Sequence, residues 1–143
     1  MSVSGRVLGI DYGRARIGLA VSDALRMVGT PLETVDGTSE KLATRRIREI
    51  LDEKKIETIV VGLPLHMNGD FGELAQAATD FGEKLKSQVP GLEIVMWDER
   101  MSSAEAERGM RLNHTKPKRK KELRDQLAAQ IILQSWLDSQ GML

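Results

Sequence analysis

The chain has 143 residues, its 21 Lys+Arg exactly balance 21 Asp+Glu, and it contains no cysteine. A chain of this length corresponds to one domain, and the missing thiols exclude a disulfide framework, a thiolate nucleophile and a Cys-ligated zinc, so any metal must be held mainly by oxygen. No apolar run approaches the ~18 residues of a membrane span and no charged-then-apolar leader opens the sequence, so a cytoplasmic protein without membrane contact is expected.

Val7 to Ile10 is a short apolar run, followed by a segment containing Gly13 and then by Ile17 to Val21. This arrangement predicts an antiparallel hairpin. Val28 to Val35 forms a third run, in which Pro31 lacks the N–H a central strand needs, so an edge strand is expected. From Ser39 to Lys55 the period changes: Ala43, Ile47, Ile50 and Leu51 fall at helical spacing with charged residues between them. Thr58 to Leu63 is apolar on both faces, as in a strand covered on both sides within a parallel sheet. Leu74, Ala77, Ala78, Phe81 and Leu85 return to helical spacing until Pro90-Gly91, and Leu92 to Trp97 supplies a fifth strand that runs into Asp98-Glu99-Arg100. Ser102 followed by Glu105 has the form of a capping box, predicting a helix to about Leu112, and Lys121 to Gln140 is the last helix. Three meandering strands followed by crossover units imply an α/β fold, a mixed five-stranded sheet with helices on both faces.

Four acids stand where chemistry is expected. Asp11 follows the apolar strand Val7 to Ile10, and Asp98 and Glu99 follow the fifth strand, at the carboxyl ends where open α/β sheets place ligands. Side chains alternate along a strand, so one of Asp98 and Glu99 points to the face used by Asp11. Which of the two it is stays open from the sequence. Asp125 heads a stripe of Ala128, Ala129, Ile132 and Trp136, and a carboxylate there must be protonated, paired with a base or bound to a cation. Each acid also has a plainer reading: Asp11 as a turn residue, Asp98 or Glu99 as the partner of Arg100, and Asp125 as the partner of Arg100 or Arg16.

The zero net charge argues against a globally basic nucleic-acid binder, yet the cations are unevenly placed. Arg14, Arg16 and Arg100 lie beside the acids, where guanidinium groups suit phosphate. Lys116, Lys118, Arg119, Lys120 and Lys121 put five cations in six residues, in what is expected to be a loop between the last two helices. Such a run either binds a polyanion or stays solvated.

The segments Gly9-Ile10-Asp11-Tyr12-Gly13, Arg16-Ile17-Gly18, Val61-Gly62-Leu63-Pro64, Asp98-Glu99-Arg100 and Asp125 with Ala128-Ala129 and Ile131 to Gln134 resemble the YqgF family, also called RuvX. The resemblance covers nearly the whole chain. It implies an RNase H-like fold and a hydrolase acting on phosphodiester bonds by carboxylate-held metal. It also implies that Asp11, Glu99 (or Asp98) and Asp125 are the catalytic and metal-binding acids. In the better-known resolvases an acid ends the fourth strand, where this chain has Gly62-Leu63-Pro64.

Two hard divalent ions, Mg²⁺ or Mn²⁺, suit such oxygen donors and can activate water while neutralising a phosphodiester. The implied activity is trimming of the 5′ end of precursor 16S rRNA in ribosome biogenesis, with precursor ribosomal particles as possible partners and a monomer or homodimer as the active form. Two alternatives remain: a resolvase of branched DNA, and a nucleic-acid-binding assembly factor whose acids only stabilise the fold.

Overall fold

In chain order the elements are β1 (Val7–Asp11), β2 (Arg16–Ser22), β3 (Gly29–Asp36), α1 (Glu40–Lys54), β4 (Thr58–Leu63), α2 (Glu73–Gln88), β5 (Glu93–Asp98), a 3-10 turn (Glu99–Met101) and α3 (Pro117–Gly141). The computed structural model describes residues 5–66, 68–102 and 117–141, except for the side chains of 117 and 118. The sheet order is β3-β2-β1-β4-β5, with β1, β2 and β3 antiparallel neighbours and β1, β4 and β5 parallel. The three parallel strands therefore deliver their carboxyl ends to one edge.

Strand alternation splits the core into two layers. On one face Leu8, Ile10, Leu19, Ile59 and Val61 pack against Ile47 and Ile50 of α1 and Phe81 and Leu85 of α2. On the other, Val7, Ala20 and Val60 meet Ala128, Ala129, Ile132, Leu133 and Trp136 of α3. Burying each large side chain contributes roughly 1.5–3 kcal/mol. Ser39 caps α1 by accepting from the Leu42 N–H, which confirms the helix start read from the sequence.

β3 is an edge strand, as Pro31 predicts, and Pro31 stands opposite Ala20 where the register shifts. Three glutamines spaced one per turn tie α3 to it. Gln126 donates to Thr34 Oγ1 at 3.1 Å, Gln130 donates to the Gly29 carbonyl at 3.0 Å, and Gln134 Oε1 accepts from the Gly29 N–H at 2.8 Å. These bonds occupy polar groups of the edge and set the position of α3 along the sheet.

The cation run differs from expectation. α3 begins at Pro117, four residues before the predicted start at Lys121, so residues 118–121 lie in its first turns and not in a loop. Lysine and arginine are good helix formers, and proline is favoured at a helix start, because its missing N–H has no intrahelical partner there. Lys116 and the helix predicted from Ser102 to Leu112 lie outside the described residues, apart from Ser102 itself, whose N–H closes the 3-10 turn on the Glu99 carbonyl at 3.0 Å. Among the described residues no helix is long and apolar enough to cross a membrane.

Candidate active site

Parity along the strands decides which acids face α3. On β1 the alternation that turns Val7 toward α3 also turns Gly9, where a Cβ would lie 2.7 Å from Leu133 Cβ, and then Asp11, which is 7% exposed. On β5, Val95 and Trp97 pack on the α3 side, while Ile94 and Met96 pack on the opposite core. The same alternation carries Glu99 to the α3 side and Asp98 away from it. Glu99 lies across Gly62 of β4, where a Cβ would stand only 2.8 Å from Glu99 Oε2. Gly62 thus makes room for the Glu99 side chain.

Asp98 has a different occupation. Its carboxylate accepts from the Arg100 guanidinium at 2.8 Å and from the Arg100 backbone N–H at 2.9 Å. The guanidinium beside it holds its carboxyl below the usual range, and the backbone bond adds to the effect. Of the adjacent pair, Glu99 lines the cleft with Asp11, and Asp98 does not.

Asp125 reaches the cleft because α3 presses against β2 at Gly18. A Cβ at Gly18 would fall 2.0 Å from the Asp125 carbonyl oxygen, so only glycine permits this approach. The Asp125 carboxylate accepts from Arg16 Nε at 2.7 Å, with side-chain exposures of 14% for Asp125 and 40% for Arg16. One of the two pairings admitted by the sequence is therefore realised, and the other, with Arg100, is not. Asp11, Glu99 and Asp125 together line a cleft of about 430 Å³, walled by Tyr12, whose ring rests 5.0 Å from that of Phe81.

Arg14 and Arg16 line the same cleft, as expected of phosphate contacts, and so does Arg124, which the sequence reading missed. Its only sequence signal is its place one residue before Asp125. Neither Arg14 nor Arg124 forms an ion pair with another described residue. Arg100 is folded onto Asp98 and does not line the cleft. Lys121 lines a second groove of about 640 Å³ that shares Ala15 and Arg16 with the first. Arg119 and Lys120 lie on the first turns of α3 and line neither. Exposed His66 is absent from the cleft wall, and Lys116, His114 and the Lys118 side chain lie outside the described residues.

The donors at the cleft are carboxylate oxygens, the chemistry a hard divalent cation prefers. Among the described residues, however, no three acidic or histidine side chains are grouped closely enough to hold a metal ion. Asp11, Glu99 and Asp125 suit such an ion in donor type, and the Asp125 carboxylate accepts from Arg16.

Comparison with known proteins agrees with this architecture. A protein of Geobacillus sp. (strain WCH70) named "Putative pre-16S rRNA nuclease" is 42% identical over 136 residues, covering 94% of this chain and 98% of that protein. A protein of the same name from Acetivibrio thermocellus is 39% identical over 137 residues, covering 95% and 97%. Among solved structures, Thermus thermophilus RuvC in complex with a Holliday junction substrate superposes with a TM-score of 0.58 at 16% identity, covering 95% of each chain, which shows that the two share a fold. Residues 5–139 match the family described as "RuvX: Holliday junction resolvase", and the chain belongs to that family.

Proposed function

We propose that the cleft hydrolyses phosphodiester bonds of nucleic acid, with precursor 16S rRNA as the substrate, consistent with the name carried by its close relatives. The observation that carries this reading is the meeting of Asp11 and Glu99 in one cleft with two arginines, Arg14 and Arg124, that have no carboxylate partner among the described residues. Acids alone would repel a phosphodiester. The guanidinium groups supply attraction and can grip phosphate oxygens by paired hydrogen bonds.

Asp11 and Glu99 would hold a divalent cation, Mg²⁺ or Mn²⁺, and Asp125 would join them once released from Arg16. A bound ion of this kind neutralises phosphate charge and makes water a stronger nucleophile. Arg14 and Arg124 orient the phosphate against the carboxylate side of the cleft, which fixes the direction from which water attacks.

The experiment is cleavage by wild type and Asp11→Asn of a precursor 16S rRNA fragment and of a four-way DNA junction, each with Mg²⁺ and with Mn²⁺. RNA trimming by wild type alone supports the reading. The family description makes the junction the second substrate to test, and paired symmetric nicks in it would favour a resolvase acting as a dimer. Undiminished cleavage by Asp11→Asn would overturn the assignment of the site.

A further inference from the structure

Glu99 stands on a turn that its own side chains do not anchor. None of Glu99, Arg100 and Met101 is buried, and Met101 is 65% exposed. Apolar packing therefore does little to fix the segment that carries the acid, and polar contacts have to. One of them comes from α3. Ser135 Oγ donates to the Met101 carbonyl at 3.2 Å and accepts from the Trp97 indole Nε1–H at 3.0 Å.

The chemistry of the three groups gives this bridge a direction. An indole N–H can only donate and a carbonyl can only accept, so a hydroxyl that receives the Trp97 proton turns its own single proton to Met101. Trp97 lies two residues before Glu99 and packs on the α3 side of the sheet, and Met101 lies two residues after it. The hydroxyl thus ties α3 to the chain on both sides of the acid. One turn earlier on α3, Ile132 borders the space over Gly62 that Glu99 occupies: a Cβ on Gly62 would lie 2.6 Å from Ile132 Cδ1 and 2.8 Å from Glu99 Oε2. The same helix brings Asp125 to the cleft, so one element sets the places of two of its acids.

We propose that Ser135 is a positioning residue for Glu99: its hydroxyl, oriented by Trp97, holds the turn Glu99–Met101 against α3 so that the Glu99 carboxylate keeps its place in the cleft. Ser135 does not itself line the cleft, so its effect passes through Glu99 and not through contact with substrate. Attraction of phosphate by Arg14 and Arg124 is left untouched. The inference rests on the reading of the cleft as a phosphodiesterase that uses Glu99.

The test compares wild type and Ser135→Ala, as full chains, on the precursor 16S rRNA fragment. Alanine is the better helix former, so α3 should persist. The expected result is a fall in kcat of about fivefold, the rate equivalent of one net hydrogen bond, with KM unchanged. Ser139→Ala removes a hydroxyl that donates to the Trp136 carbonyl of α3 itself, and it should leave kcat as in wild type. A second readout needs no activity: the Ser102 N–H, which closes the turn on the Glu99 carbonyl, should exchange with water faster in Ser135→Ala, while amides of β4 keep their wild-type rates. Unchanged kcat, an equal fall in Ser139→Ala, a rise in KM alone or unaltered exchange at Ser102 overturns the proposal. If Ser135→Ala does not fold, wild type decides: its Trp97 indole N–H should be protected from exchange, and unprotected exchange overturns the bridge. Absence of cleavage by wild type would overturn the phosphodiesterase reading, whereas wild-type cleavage that Ser135→Ala leaves intact would overturn the role of Ser135 alone.

Discussion

Gly62 and Glu99 share one volume: a methyl group on residue 62 would stand 2.8 Å from Glu99 Oε2 and 2.6 Å from Ile132 Cδ1. The absence of a side chain on β4 is therefore what lets the acid after β5 reach the cleft. Gly62→Ala should displace Glu99 and crowd Ile132. Forcing a methyl into a packed site costs about 1–3 kcal/mol. Thermal unfolding should show that loss, and cleavage should fall by more than the folded fraction does. Wild-type rates in a folded Gly62→Ala protein would contradict this account of Glu99.

Glu99 and Asp98 are adjacent in sequence and separate in role, so their neutral variants should diverge. Glu99→Gln keeps the shape and removes the charge at the cleft, and a loss of tenfold or more in cleavage is expected, about 1.4 kcal/mol of transition-state stabilisation. Asp98→Asn weakens the bonds to Arg100 and should leave turnover within a few-fold of wild type. Parallel rate measurements decide it, and the reverse ranking would exchange the two assignments.

Arg124 faces the cleft without an ion-pair partner among the described residues, and a phosphate contact there releases counterions. Arg124→Ala should weaken binding to single-stranded RNA and reduce the slope of log affinity against log salt by about 0.7. Arg100→Ala, which removes a cation folded onto Asp98, should leave the slope nearer that of wild type. Fluorescence titrations at several salt concentrations provide the comparison.

Asp23 organises the turn between β2 and β3 by accepting from the Met27 and Val28 N–H groups at 2.8 and 2.9 Å. These bonds, that from Val28 foremost, lower its carboxyl below the ordinary value. A depressed folded-state pKa means that the contribution to stability is complete above the unfolded value near ~3.9 and is lost as pH falls through the lower folded value. Amide exchange at Met27 and Val28 should accelerate in that acid window, ahead of amides in β1. Asp23→Asn should remove most of the pH dependence.

The pattern of apolar residues determined most of the fold. Alternation and helical spacing are local properties, so β4 matches its predicted span, Thr58–Leu63, and the edge position of β3 follows from the N–H that Pro31 lacks. The acids Asp11 and Asp125 were legible for the same reason, since a carboxylate at a strand end or at the head of an apolar stripe is conspicuous. What only the tertiary structure decided depends on residues distant in sequence. Whether Glu99 or Asp98 enters the cleft follows from which face of β5 α3 covers, and the partner of Asp125 lies 109 positions away in Arg16. Gly18 and Gly62 acquire their roles only when α3 and Glu99 arrive beside them. The equal counts of acids and cations conceal this arrangement, because electrostatic function depends on the distances between charges, and folding sets those distances.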